Sequence, residues 1–113
     1  MKYFNYKDEN LTSENMSIAD IATEVQTPFY CYSANAFKNN FNALKNAFKE
    51  INPKICYATK SNSNLSILNL LQKEGAGADV VSVGELKKSL IAGIMPHDIV
   101  FSGVGKTSDE IEF

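Results

Sequence analysis

"KICYATKSNSNLSILNLLQKEGAGADVVS", residues 54–82, decides the fold. It opens on "KICYAT" (54–59), a short run rich in apolar and β-prone residues, and reads as a strand. A polar Ser/Asn cluster interrupts it. "NLSILNLLQKEG" (64–75) then carries apolar residues at helical spacing and ends on Gly75. "ADVVS" (78–82) is a second apolar strand. The pattern continues beyond the quoted stretch. "GELKKSLIAG" (84–93) reads as a helix ended by Gly93, and "DIVFSG" (98–103) as a third strand. "TSDEIEF" (107–113) opens a further helix on a T-x-x-E capping box, Thr107 with Glu110.

Near-continuous apolar strands that alternate with helices indicate a parallel sheet covered on its faces. The expected fold class is α/β, either a doubly wound sheet or part of a (β/α)₈ TIM barrel. A complete barrel takes roughly 250 residues. A chain of 113 residues is therefore expected to hold about three β/α units, as the N-terminal part of something larger.

Upstream, residues 1–15 are polar and show no clear period. "MSIADIATEV" (16–25) has helical spacing with Ser17 as its cap. "TPFYCYS" (27–33) reads as a strand. Residues 34–50 place Phe37, Phe41, Leu44 and Phe48 on one stripe of an amphipathic helix capped by Ser33, and that stripe is expected to be core. Asn52-Pro53 ends it. The expected division is a lead and first strand over 1–33 and a partial barrel domain over 34–113.

Composition excludes several function classes. Net charge is −2, with 44% hydrophobic and 21% charged residues and no basic block, so nucleic acid is not an expected partner. No apolar run approaches the roughly 18 residues that span a bilayer, so a membrane is not expected either. The first residues lack the apolar stretch of a secretory signal, which makes the cytoplasm the expected compartment. Cys31 and Cys56 are isolated and the chain has a single histidine, His97, so no metal site is expected and both thiols are expected to be free and buried. "GVGKT" (103–107) resembles the tail of a phosphate-binding loop, but the first glycine of that motif would fall on Val100.

The candidate residues lie at the ends of the strands. In an extended 55–60, Cys56, Ala58 and Lys60 share one face, and Ile55, Tyr57 and Thr59 the other. A small face leading to a lysine at a strand's C-terminal end suits a barrel active site, with Ala58 leaving room for a flat ring. Lys60 is then either a solvated turn lysine or an amine able to attack a carbonyl. Asp79, on the next strand, is a loop-edge carboxylate or a charge at the mouth of the same cavity. Glu85 fits an S-x-x-E capping box with Ser82, which a role in the site does not exclude. Gly103 and Gly105 flank a bend where backbone approaches a ligand or simply turns. His97, in the loop before the third strand, reads as surface.

These residues together resemble a known family. "YATKSN" (57–62) resembles the Y-A-x-K-A/S-N block of the fold-type III pyridoxal-phosphate decarboxylases, whose lysine holds the cofactor as a Schiff base. "GAGADVVSVGEL" (75–86) is similar to their G-x-G-x-D-x-x-S-x-G-E-L block. "AGIMPHDIVFSGVGKTSDEIEF" (92–113) is similar to A-G-x-x-P-x-x-I-x-F-x-G-x-x-K-S/T-x-x-E. "TPFYCYS" resembles T-P-x-Y-V-Y-D/S, and "NLTSENMSIADIATEV" (10–25) resembles the start of bacterial diaminopimelate decarboxylases. Val83 departs from the glycine those enzymes usually carry.

The resemblance implies an alanine-racemase-like TIM barrel with a following β-domain, usually as a homodimer, and pyridoxal 5'-phosphate as cofactor. It implies Lys60 as the catalytic, cofactor-bearing lysine, with Asp79 and Glu85 lining the cofactor. The implied reaction is decarboxylation of meso-diaminopimelate to L-lysine, a step of lysine biosynthesis. Alternatives are another basic amino-acid or carboxynorspermidine decarboxylase, or a non-catalytic remnant. The family's phosphate loops, stacking histidine and pyridine-nitrogen acid would lie beyond residue 113. The chain alone is therefore expected to be inactive.

Overall fold

The computed structural model describes residues 3–113. They form two compact units, one ending at Asn39 and the other running from Asn40 to Phe113.

The first unit starts with structure where a polar, aperiodic lead was expected. Strands β1 (Phe4–Lys7), β2 (Asn10–Ser13) and β3 (Met16–Ser17) form an antiparallel sheet in that order. Lys7 pairs with Asn10 and Ser13 with Met16, so each turn has two residues. Asp8 and Glu9 have φ of 46° and 64°, and Glu14 and Asn15 of 50° and 72°. Two successive left-handed residues match the right-handed twist of a tight hairpin. Neither turn contains glycine, and this is why the sequence did not announce them.

Helix α1 (Ile18–Val25) follows as expected, with the Ser17 hydroxyl accepting from the Asp20 N–H. The strand expected at 27–33 does not form. Those residues pair with no other strand among the described residues, and an aromatic-rich run without a ladder partner stays irregular. Tyr30 and Tyr32 stack on each other instead, with ring centroids 6.3 Å apart. Helix α2 (Ala34–Ala47) starts at Ser33, whose Oγ accepts from the Ala36 N–H at 3.0 Å. The Ser33 hydroxyl also donates to Glu14 Oε1, which accepts the Asn35 N–H at 2.6 Å. These two bonds hold the Glu14 carboxyl below the ordinary glutamate value.

In the second unit a 3-10 turn, Lys49–Ile51, follows the end of α2, and Asn52 leaves it in a left-handed conformation at φ 45°. The stripe expected to be core is only partly so. Phe41 is buried, whereas Leu44 and Phe48 are each 47% exposed. Too little chain packs over this part of α2 to cover it.

The β-α-β-α-β-α order is as expected: β4 (Cys56–Ala58), α3 (Leu65–Lys73), β5 (Gly77–Val80), α4 (Val83–Ile91), β6 (Ile99–Phe101) and α5 (Ser108–Glu112). The strands are parallel in the order β4-β5-β6. Ala78 and Val80 are fully buried with Ile94, and Leu86, Ile99 and Phe101 pack on them. That face of the sheet is the core, and α4 covers it.

Both crossover helices end alike. In α3 the Gly75 N–H donates to Gln72 O and the Ala76 N–H to Leu71 O; in α4 Gly93 donates to Leu90 O and Ile94 to Ser89 O. This is the Schellman arrangement, and it needs the left-handed residue that Gly75 (φ +94°) and Gly93 (φ +95°) supply. It turns Ala76 and Ile94 into the core, where each is buried. Among the described residues no helix is long and apolar enough to cross a membrane.

Candidate functional site

Register defines the second face of the sheet. Ala58 pairs with Asp79, and Asp79 with Val100. Paired residues project to the same side, opposite Tyr57, Ala78 and Ile99. Cys56 and Gly77, paired one step earlier in the alternation, belong to the Ala58–Asp79 side as well. This face is built of small residues, and helix α4 leaves it uncovered. Gly77 has no room for a side chain: a Cβ there would lie 2.3 Å from Asp98 O and 2.9 Å from Cys56 Sγ.

The expected continuous alternation through Lys60 does not hold. Strand β4 stops at Ala58, and Thr59–Ser61 form a single 3-10 turn. Cys56 and Ala58 share a face as expected, but Lys60 is placed by the turn. Its neighbours in the turn are pinned. Thr59 is fully buried, with its hydroxyl 2.6 Å from Glu85 Oε2 and 3.0 Å from Asp79 O. The Ser61 hydroxyl donates to Ala58 O at 2.7 Å and lies 2.9 Å from the Tyr57 hydroxyl. Lys60 between them is exposed and, among the described residues, has no hydrogen-bond or ion-pair partner. Its amine is thus left free by a turn whose backbone is fixed on both sides.

Glu85 differs from the expected capping box in one half. Ser82 Oγ does accept from the Glu85 N–H, at 3.3 Å. The Glu85 carboxylate, however, takes the Val81 N–H at 2.8 Å rather than the N–H of Ser82, and it takes the Thr59 hydroxyl. It ties the start of α4 to the end of β4. The box at Thr107 and Glu110 is complete in both halves, and the Thr107 N–H lowers the Glu110 carboxyl below its usual value.

Asp79 Oδ1 accepts the Ser102 hydroxyl. Strand-end groups of all three strands are therefore linked: Thr59 after β4, Asp79 on β5 and Ser102 after β6. Thr59 and Ser102 were not singled out from the sequence. Thr59 occupies the open x of Y-A-x-K, and Ser102 is one more hydroxyl in a loop, so neither spacing flags them.

Of the remaining candidates, Gly103 is required by packing. A Cβ there would meet Val81 O at 2.7 Å, whereas one at Gly105 would meet nothing within 4 Å. His97 is exposed, as expected, and lies beside Asp98 at the opposite end of the sheet. There Lys54 hydrogen-bonds Asp98 and holds its carboxyl below the ordinary range. The two thiols are free but only half-buried, in place of the full burial expected. Burial pushes the Cys56 thiol up.

The residues present suit a group with a flat ring and an aldehyde. A primary amine with no partner among the described residues follows the C-terminal end of β4, whose open face carries Cys56 and Ala58, with Gly77 of β5 beside them.

Comparison with known proteins follows the same lines. Residues 34–113 match the family described as "Pyridoxal-dependent decarboxylase, pyridoxal binding domain". The diaminopimelate decarboxylase of Vibrio cholerae is 44% identical over 113 residues, 99% of this chain and 27% of that protein. That of Helicobacter pylori is 56% identical over 87 residues, 77% of this chain and 22% of that protein. Among solved structures, the diaminopimelate decarboxylase of M. jannaschii in co-complex with L-lysine superimposes with a TM-score of 0.90 at 36% identity. The match covers 96% of this chain and 26% of that one. The chain thus spans about a quarter of the length of the curated relatives it matches. With a parallel β/α array, a free strand-end lysine and a family match over 34–113, the chain belongs to the pyridoxal-dependent decarboxylases.

Proposed function

We propose that this chain supplies the lysine-bearing N-terminal part of a pyridoxal 5'-phosphate-dependent diaminopimelate decarboxylase, which converts meso-diaminopimelate to L-lysine with release of CO₂. The observation that carries the reading is Lys60, exposed at the end of β4 and without a hydrogen-bond or ion-pair partner among the described residues, beside a face of small residues. Lys60 would hold the cofactor covalently through its amine. Ala58 would leave space for the ring. Asp79 and Glu85 would line the site, each already oriented by a hydroxyl, Ser102 for Asp79 and Thr59 for Glu85. Pyridoxal phosphate, when bound, supplies the electron sink that a departing carboxylate needs. What the chain itself contributes is attachment and orientation.

The same reading extends to the arrangement around this chain. The three β/α units would be the start of a TIM barrel, with residues 1–33 as a lead and 34–113 as the partial barrel domain. The complete enzyme would be a cytoplasmic homodimer with an amino-acid substrate and neither a nucleic-acid nor a membrane partner. The 113-residue chain by itself is expected to bind cofactor without turnover.

The test is to incubate the purified chain with pyridoxal phosphate, fix adducts with borohydride and map them by mass spectrometry. One dominant pyridoxyl adduct, on Lys60, is the expected result. Adducts scattered over the lysines, with no preference for Lys60, would sink this reading.

A further inference from the structure

Thr59 is the one fully buried polar side chain next to the free lysine. Its hydroxyl has a single proton and two acceptors within reach, Glu85 Oε2 at 2.6 Å and Asp79 O at 3.0 Å. The shorter contact, to a carboxylate, is the stronger. The same Glu85 oxygen holds the Val81 N–H at 2.8 Å. One carboxylate oxygen thus joins the end of β5, the first turn of α4 and the turn that carries Lys60. The opposite flank of that turn is held by the exposed Ser61, which bonds within its own segment, to Ala58 O. Among the described residues, Thr59 alone connects the lysine turn to other elements through a charge-assisted bond. A 3-10 turn of three residues has little cohesion of its own.

We propose that Thr59 is a positioning residue for Lys60, clamping the lysine turn to α4 through Glu85 so that the amine meets its carbonyl partner from a fixed backbone. The proposal deepens the reading of Lys60 as the cofactor lysine and rests on it. It also gives Glu85 a role apart from contact with the cofactor: its oxygen is the anchor of the clamp. A side chain of similar volume without a hydroxyl breaks the clamp and leaves the carboxylate short of one donor.

The test compares Thr59→Val, Thr59→Ser and Glu85→Gln in the full chain by two measurements. One is the rate of pyridoxyl labelling at Lys60 relative to the other lysines. The other is amide hydrogen exchange over residues 58–62. Loss of one charge-assisted bond should slow relative Lys60 labelling in Thr59→Val by about ten-fold and speed exchange in 58–62 by a similar factor. Thr59→Ser keeps the hydroxyl and should restore both. Should Thr59→Val fail to fold, Glu85→Gln carries the comparison, because it weakens the same bond and leaves Thr59 in place. Wild-type labelling and exchange in Thr59→Val, or in Glu85→Gln where that variant carries the comparison, would overturn the proposal. If the wild-type chain shows no preference for Lys60, the cofactor-lysine reading fails instead. Exchange then decides the clamp: a rise in Thr59→Val that Thr59→Ser reverses supports it, and wild-type exchange in Thr59→Val refutes it.

Discussion

At the scale of single residues, stability and chemistry separate at Lys60. The side chain is exposed and has no hydrogen-bond or ion-pair partner among the described residues, so removing it costs the fold little. Lys60→Ala should shift unfolding free energy by no more than about 0.5 kcal/mol, by urea denaturation, while abolishing the main pyridoxyl adduct. Glu14 is the converse case, a carboxylate that holds structure. Its carboxyl is lowered by the Ser33 hydroxyl and the Asn35 N–H. A lowered folded value means that its contribution is complete above the ordinary glutamate value of 4.5 and is lost as pH falls through the folded value. Asp98 and Glu110 are lowered too and add to the same acid-side loss. Thermal melts followed by circular dichroism should therefore decline on acidification, and Glu14→Gln should melt lower at neutral pH with a shallower acid limb.

At the scale of elements, glycines set the joints of the β/α units. Gly75→Ala puts a β-carbon on a left-handed residue that closes α3, and should cost about 1 kcal/mol. Gly77→Ala meets backbone instead, at Asp98 O, and cannot be relieved by a side-chain rotation. It should cost about 1–3 kcal/mol by overpacking and loosen the pairing of β4, β5 and β6. Chemical denaturation of the two variants should rank Gly77→Ala as the more damaging; the reverse order would mean that the helix end outweighs the strand contact.

At the scale of the whole molecule, the second unit leaves apolar surface open. Leu44, Phe48 and Ile51 are 47%, 47% and 72% exposed, and among the described residues β4 and β6 each have one unpaired edge. Open parallel edges beside exposed apolar side chains favour association. Sedimentation velocity should find concentration-dependent oligomers at moderate salt. Phe48→Glu combined with Leu44→Glu should shift them towards monomer; an unchanged distribution would mean that the stripe is not the contact.

Local, periodic features were determined by the sequence alone. The α/β class, the order of the six elements from residue 54 and the caps at Ser17, Ser33, Ser82 and Thr107 were legible because each depends on a few neighbouring residues. So were the two glycine helix ends and the family blocks around Lys60. Features that depend on residues distant in the chain were decided by the tertiary structure. The meander of the lead stayed hidden in the sequence because its turns adopt positive φ without glycine. "TPFYCYS" stayed irregular because no strand among the described residues pairs with it. The aromatic stripe was left half-exposed because little packs over it. The sequence marked Lys60 as the residue to test. Only the fold showed that the alternation ends at Ala58, and that the lysine stands on a turn held from beneath by Thr59 and Glu85. The bond between them joins residues 26 positions apart, a distance that no local pattern can encode.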